Sequence, residues 1–211
     1  RFSVCEVFRQ MVTIGVQALP MASLVSLSIG LTLAMQGVGE LSRMGATAYV
    51  PDLVGLSLLR ELGPLLIGVV VIGRSGSAVT AELGTMKISE EIEALTARDI
   101  DPVRYLVVPR VLAMLVMLPV LTVFGNYIGI IGGWAICRFA LEMHTTVFIT
   151  RILEAAQPID LLSGMIKSIV FAWLIVTIAC QAGLAVSGGA EGVGKATTNS
   201  VVLSILAMLI A

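Results

Sequence analysis

Three long stretches of the sequence contain no charged side chain, and they constrain the fold more than any other feature. They run from residue 11 to 39, from 111 to 137 and from 168 to 190. Each is longer than the roughly 20 apolar residues that an α-helix needs to cross a bilayer. The composition agrees, because 57% of the 211 residues are hydrophobic and 13% are charged, whereas a soluble domain has about 25% charged residues. We therefore expect a polytopic membrane protein and exclude a soluble domain.

Two further apolar segments raise the expected number of spans to five. Residues 53–83 are apolar but contain four charged side chains, and residues 196–211 contain none. We predict an all-α fold with a single transmembrane domain over residues 1–211. The sequence shows no signal-peptide pattern, and we expect that residues before Arg1 and the end of the fifth span are missing from it. The predicted spans are 11–39, 53–83, 103–137, 160–186 and 196–211.

The distribution of positive charge predicts the orientation in the membrane. The loop after the second span, residues 84–110, has four basic side chains, whereas the preceding loop, residues 40–52, has only Arg43. Since basic loops tend to stay in the cytoplasm, we expect the N-terminus on the cytoplasmic side. Basic residues between the third and fourth spans weaken this asymmetry.

Two loops are predicted to form short helices of their own. In residues 88–97, Ser89 precedes a run of glutamates, which is typical of a helix start. Residues 145–156 are predicted to form a helix along the interface on the outer side of the membrane. We interpret residues 88–97 as a short amphipathic helix in the cytoplasm, because three apolar side chains share one helical face. These side chains are Ile88, Ile92 and Leu95.

Four ionisable side chains lie inside the second predicted span, where charges are costly and often mark functional sites. Arg60 and Glu61 either extend to the interface and position the helix, or they line a polar cavity in which Arg60 meets an anionic group. Arg74 and Glu82 are about 12 Å apart along a helix, so each needs another partner. They belong either to helix packing or to a ligand path. In the third span, a tandem G-x-x-x-G over residues 125–133 predicts a close helix contact.

Patterns typical of enzymes are weak in this sequence. Residues 189–195 match the start of a phosphate-binding loop, but Ala196 stands where a magnesium-binding hydroxyl is needed. Ser75 lies in a run that is one glycine short of a nucleophile elbow, and His144 is distant in sequence. The cysteines form no C-x-x-C pair, and 13 basic against 14 acidic residues disfavour nucleic acid. We expect no catalytic residue, no metal site, no cofactor in this chain and no nucleic-acid partner.

Four motifs occur in order along the chain and point to a family. They are S-L-L-R-E-L-G-P-L-L at 57–66, G-R-S-G-S-A-V-T-A-E-L-G-T-M-K at 73–87, D-P-x-x-Y-L-V-x-P-R at 101–110 and G-x-x-x-A-T-T at 192–198. Together they resemble the MlaE/YrbE permeases, the membrane subunits of ABC transporters that work with MCE proteins. The resemblance runs from about Met11 to the end of the chain.

The resemblance implies a function and a set of partners. It implies a homodimer in the bacterial inner membrane that holds phospholipid in a cavity, opens toward a periplasmic ring of MCE subunits and maintains outer-membrane lipid asymmetry. It implies a cytoplasmic ATPase pair, which holds the ATP and magnesium, and often a small STAS-domain protein. In such permeases the residues matching Arg60 and Glu61 lie at the lipid cavity, and those matching Leu33 and Leu41 contact acyl chains.

The resemblance also implies how the ATPase is coupled. The helix at residues 88–97, with Glu90, Glu91, Ile92 and Glu93, corresponds to the coupling helix that sits in a groove of the ATPase. An ion or solute carrier or channel that needs no ATPase is the alternative. A carrier would show inverted repeats with broken helices in both halves, and we find no such internal symmetry. A membrane scaffold without a transported ligand is a third alternative.

Overall fold

The protein is almost entirely helical. The computed structural model describes residues 4–211, and this part of the chain contains helices and turns but no β-strand. The all-α fold predicted from the sequence is therefore confirmed. The α-helices are α1 Val4–Ile14, α2 Leu19–Arg43, α3 Val50–Ser57, α4 Gly63–Val71, α5 Ser77–Ile88, α6 Glu91–Ala97, α7 Val108–Ala140, α8 Thr145–Ala155, α9 Pro158–Leu184 and α10 Gly189–Ile210.

Five helical stretches of the described chain are long and apolar enough to cross a membrane, which confirms the five-span prediction. The last of them starts earlier than expected, at Gly189 rather than Ala196. Glu191 and Lys195, which we expected in a loop, form an ion pair of 2.7 Å one helical turn apart. The stretches are Cys5–Arg43, Thr47–Ile88, Val103–Ala140, Pro158–Leu184 and Gly189–Ile210.

The first of these stretches is two helices rather than the one continuous span predicted at residues 11–39. Helix α1 ends at Ile14, and a 3₁₀ turn over Val16–Ala18 leads into α2. Pro20 lies in the first turn of α2, where its missing N–H is tolerated. Phe8 on α1 is 63% exposed, so α1 has an apolar face that its own chain leaves uncovered, as expected of a helix lying at a membrane interface.

Of the two predicted loop helices, α8 begins and ends close to its predicted bounds, but the predicted start of α6 at Ser89 is wrong. Helix α5 continues through Ile88, and the hydroxyl of Ser89 donates back to the Thr85 carbonyl at 2.9 Å. Glu90 then adopts a left-handed conformation with φ 58°, and α6 begins at Glu91. Because Glu90 turns the chain, Ile88 and Ile92 do not share one helical face.

Contacts divide the chain into two compact units. The first unit contains the described residues up to Ala18, Gly68–Leu118 and Ile169–Ala211. The second unit contains Leu19–Ile67 and Pro119–Ser168. The charged side chains predicted for the second span are split between the units, because Arg60 and Glu61 lie in the second unit and Arg74 and Glu82 lie in the first.

In the second unit, helices α2 and α7 pack closely through glycines. A Cβ built on Gly30 would overlap the carbonyl oxygen of Gly129 and lie 2.7 Å from its carbonyl carbon. Gly125 and Gly133 likewise face neighbouring side chains, with 2.7 Å from a built Cβ to Ile67 and to Val54 respectively. This arrangement confirms the close contact predicted from the tandem G-x-x-x-G.

In the first unit, buried hydroxyls join three helices. The Thr80 Oγ1 atom on α5 lies 3.1 Å from the Ala179 carbonyl oxygen on α9 and 2.9 Å from Ser200 Oγ on α10. Gly183 on α9 lies against Leu83 and the Thr80 backbone, with 2.7 Å from a built Cβ to the Leu83 side chain. Small residues thus bring the helices close enough for polar contacts across them.

Candidate functional site

A π-helical turn in the second span holds the two charged residues that the sequence singled out. It covers Leu58–Leu62 and is followed by Gly63, whose N–H donates to the Leu58 carbonyl. Pro64 explains the turn, because it has no N–H and its ring would clash with the carbonyl four residues earlier, that of Arg60. A π-turn inside a helix is rare and frequently occurs at functional sites.

The Arg60 carbonyl that is freed in this way faces a lysine from α9. Lys167 Nζ lies 3.5 Å from the Arg60 carbonyl oxygen and donates to Glu61 Oε2 at 2.6 Å. The Arg60 guanidinium makes a longer contact, with 3.9 Å from its Nε to Glu61 Oε1. The structure therefore brings together Arg60, Glu61 and Lys167, which we call the charged cluster.

The charged cluster is open rather than buried in the chain. The side chains of Arg60, Glu61 and Lys167 are 63%, 59% and 36% exposed. All three lie in stretches that are apolar enough to cross a membrane, where an exposed charge is tolerated only against water, protein or a polar ligand. With two cations and one carboxylate, the cluster has a formal charge of +1, and Arg60 is the cation with the weaker internal contact.

The apolar residues predicted for the site pack near the same π-turn. Leu58, at its start, belongs to a buried core cluster of the second unit, and Leu62, at its end, packs against that cluster. Leu33 and Leu41 on α2 pack against the same cluster and are half-buried. The second unit thus places two of the predicted acyl-chain contacts and the charged cluster around one core.

Sequence reasoning missed Asn126 on α7 as well as Lys167. Asn126 is 4% exposed, and a Cβ built on Gly63 would overlap its Oδ1. Only a glycine at position 63 lets the asparagine side chain lie directly against the end of the π-turn. No local sequence pattern indicates either residue, because each is more than sixty positions from the motif that it contacts. Their only sequence signal is that a polar side chain lies within an apolar span, which often marks a functional position.

Arg74 and Glu82 each have their own partner in the first unit. The Arg74 guanidinium donates to the Thr13 carbonyl at 3.0 Å and to Gln17 Oε1 at 2.9 Å, which ties it to the break between α1 and α2. Glu82 pairs with Arg110 at 2.9 Å. The inference that these two side chains do not contact each other is confirmed, and their contacts favour helix packing over a ligand path.

Helix α6 presents acidic side chains around one buried anchor. Ile92 is 8% exposed, so it faces the protein's own chain. Glu93 pairs with Lys87 at 3.3 Å, and Glu91 accepts a hydrogen bond from Ser89 at 3.2 Å. Glu90, Glu91 and Glu93 are all exposed. The surface of this helix is therefore acidic, with Glu90 free of the contacts that hold the other two glutamates.

Comparison with known proteins identifies one family and several relatives. The family described as Permease MlaE matches residues 7–211. A probable ABC transporter permease protein of Rickettsia prowazekii is 39% identical over 97% of this chain and 79% of its own length. The intermembrane phospholipid transport system permease protein MlaE of Haemophilus influenzae is 36% identical over 95% of this chain and 77% of its own. The chloroplastic protein TRIGALACTOSYLDIACYLGLYCEROL 1 of Arabidopsis thaliana is 36% identical over 96% of this chain and 58% of its own length.

Proposed function

Because the chain belongs to the MlaE permease family, we propose that it carries phospholipid between the inner membrane and a periplasmic MCE protein, as the membrane subunit of an ABC transporter. Its membership makes it a multi-pass permease subunit. The Haemophilus influenzae relative is named for intermembrane phospholipid transport, which supports phospholipid as the cargo.

The charged cluster is the observation that carries this proposal. A phospholipid needs an apolar path for its acyl chains and compensation for its phosphate. The formal +1 charge of Arg60, Glu61 and Lys167 matches the single negative charge of a phosphodiester. Guanidinium groups bind phosphate with paired, charge-assisted hydrogen bonds, and Arg60 is the cation less committed to Glu61. In this role Arg60 meets the phosphate, while Glu61 and Lys167 fix the π-turn.

The acyl chains lie against the apolar residues around the same core. Leu33 and Leu41 are half-buried, so each keeps part of its side chain available to a ligand. We assign them to the acyl-chain contacts, in a cavity completed by a second copy of the chain. The cavity opens to the periplasm, where a ring of MCE subunits receives the lipid.

The energy comes from partners on the cytoplasmic side. A pair of ABC ATPases supplies the ATP and magnesium, so this chain needs no cofactor, and a STAS-domain protein is a further partner. The protein lies in the inner membrane, with its N-terminus and α6 on the cytoplasmic side. Glu90, Glu91 and Glu93 contact basic groups on the ATPase. The buried Ile92 side chain holds α6 against the protein, so that a displacement of α6 by the ATPase is transmitted to α5.

Lipid binding by the charged cluster is tested with variants that change charge and keep the fold. The protein is purified from membranes, and retained phospholipid is counted by native mass spectrometry. Arg60→Ala should lower retention by about tenfold, the effect of losing a charge-assisted hydrogen bond to the phosphate. Glu61→Ala should also lower retention, because Lys167 loses the carboxylate that holds it at the π-turn. Arg43→Ala and Glu40→Ala are the controls, because they change an exposed pair of the same chemistry on α2. Normal retention in both cluster variants contradicts the assignment.

Coupling to an ATPase separates this proposal from the carrier and the scaffold. A nucleotide-binding subunit should copurify with the protein, and ATP hydrolysis should rise when phospholipid is present. Reversing Glu90, Glu91 and Glu93 to lysine should abolish that rise. Lipid movement without any ATPase would instead support a carrier, and an absence of both lipid and ATPase would support a scaffold.

A further inference from the structure

Helix α9 meets the π-turn of the charged cluster at a glycine, Gly164. A Cβ built on Gly164 would overlap the Leu59 carbonyl oxygen, and it would lie 3.5 Å from the Leu59 carbonyl carbon and 3.4 Å from Cγ of Pro64. Gly164 is buried, and this contact lies within the second unit. The backbone of α9 is therefore in direct contact with the backbone of the π-turn, at a point where no side chain fits.

The carbonyl that Gly164 faces has lost its usual donors within the helix. In an α-helix the Leu59 carbonyl would accept from the N–H of Gly63, but that N–H donates to Leu58 instead. The next N–H along the chain would belong to Pro64, which has none. The Cα–H group of Gly164 points at this carbonyl, and such Cα–H···O contacts recur between closely packed helices. Gly164 thus covers a carbonyl that the π-turn leaves open.

Lys167 lies three residues after Gly164, so both are on the same face of α9. The Lys167 Nζ atom is 3.5 Å from the Arg60 carbonyl oxygen and 2.6 Å from Glu61 Oε2. Two consecutive carbonyls of the π-turn, those of Leu59 and Arg60, therefore face two positions on α9 that are one helical turn apart. The contact with the Arg60 carbonyl is at the long limit of a hydrogen bond, so it tolerates little movement of α9.

We propose that Gly164 is a positioning residue of the charged cluster. It brings α9 close enough for Lys167 to donate to Glu61 and to the Arg60 carbonyl, and Lys167 in turn fixes the turn that carries the Arg60 side chain. An alanine at position 164 would move α9 by about 1 Å, the shift that restores an ordinary carbon–oxygen separation, and the long Arg60 contact would be lost first. The effect on lipid rests on the proposed function, whereas the effect on Lys167 does not.

A zero-length cross-link measures the position of Lys167 in delipidated protein. A carbodiimide joins a carboxylate and an amine that are in contact, and peptide mass spectrometry counts the Glu61–Lys167 product in the full-length protein purified from membranes. The Glu191–Lys195 pair, 2.7 Å apart on α10, is the reference within the same molecule. Gly164→Ala should lower the yield of the Glu61–Lys167 product about fivefold relative to that reference, the effect of losing one hydrogen bond.

Two further variants accompany this measurement. Gly39→Ala is the control, because nothing lies within 4 Å of a Cβ built there, and it should leave the cross-link yield unchanged. Pro64→Ala adds no bulk but returns an N–H to the turn, so the freed carbonyls can be satisfied without α9 and the yield should fall. This variant tests the same dependence if Gly164→Ala does not fold. An unchanged yield in either folded variant overturns the positioning role, even if its thermal stability falls.

Phospholipid retention, counted by native mass spectrometry, tests the consequence for the charged cluster. Gly164→Ala and Lys167→Met should each lower retention. Because Gly164 acts through Lys167, the double variant should retain as much lipid as Lys167→Met alone, whereas a general packing defect would add to the loss. An additive loss contradicts the positioning role. A lower cross-link yield with normal retention in Gly164→Ala supports the positioning role and contradicts lipid binding by the charged cluster, so the two proposals fail separately.

Discussion

The close contact between α2 and α7 in the second unit gives a prediction that follows from its geometry. In Gly30→Ala, the new methyl group would overlap the Gly129 carbonyl oxygen and lie 3.0 Å from the Gly129 Cα. Both neighbours are backbone atoms, so no side chain can rotate away and α2 must move from α7. Overpacking of this kind costs about 1–3 kcal/mol, which outweighs the gain of about 1 kcal/mol from replacing a helical glycine.

Gly39→Ala on the same helix is the matched control, because nothing lies within 4 Å of a Cβ built there. The assay follows the reaction of a fluorogenic maleimide with the buried thiols of Cys137 and Cys180 as detergent-solubilised protein is heated. Gly30→Ala should lower the unfolding midpoint by up to about 6 °C, because the net cost is at most about 2 kcal/mol and each kcal/mol corresponds to about 3 °C for a chain of this size. Gly39→Ala should leave the midpoint unchanged or raise it. Equal midpoints for the two variants would refute the close contact.

Three further outcomes follow from single contacts. Thr80→Val should destabilise the protein by about 1–3 kcal/mol, since it removes the hydroxyl that contacts Ala179 and Ser200. The control Thr85→Val loses only a hydrogen bond within its own helix and should change thermal stability by much less. Glu90→Gly should raise the unfolding midpoint, because glycine adopts φ 58° without strain, whereas Glu90→Gln should not. If the charge of Glu90 is needed for coupling, both Glu90→Gly and Glu90→Gln should weaken lipid-stimulated ATP hydrolysis. If only Glu90→Gly weakens ATP hydrolysis, the conformation of the turn and not the charge is responsible.

The membrane spans could be predicted from the sequence because the bilayer imposes a simple rule. Charge-free runs long enough to cross it stand out without any knowledge of tertiary structure. Helix ends were less predictable, as α10 shows. Glu191 and Lys195 suggested a loop by their charge, yet an ion pair one turn apart lets both remain on a helix.

The candidate site was predictable only in part. Arg60 and Glu61 could be identified because charges are rare in spans. Lys167 could not be paired with Glu61, since the two are 106 positions apart and only the packing of α9 brings them together. The π-turn could not be predicted from the sequence either. Pro64 indicates that the helix is disturbed, but a proline does not indicate which group satisfies the carbonyl that it frees.

Helix α6 shows how a residue pattern can mislead locally. Ser89 followed by glutamates satisfies the composition of a helix start, but the preceding helix α5 extends far enough to include Ile88. The serine hydroxyl then bonds backward to Thr85, and the left-handed turn falls on Glu90. Composition cannot decide between two adjacent helices that compete for the same residues, whereas the backbone geometry can.

The central claim is that Arg60 contacts the phosphate of a transported phospholipid, and a transfer assay tests it most directly. Fluorescent phospholipid is followed as it moves from proteoliposomes containing the assembled transporter to an acceptor protein, with Arg60→Gln compared against Arg43→Gln. The account predicts a transfer rate about tenfold lower in Arg60→Gln and a wild-type rate in Arg43→Gln. A wild-type transfer rate in Arg60→Gln, with the protein folded and its ATPase bound, would contradict it.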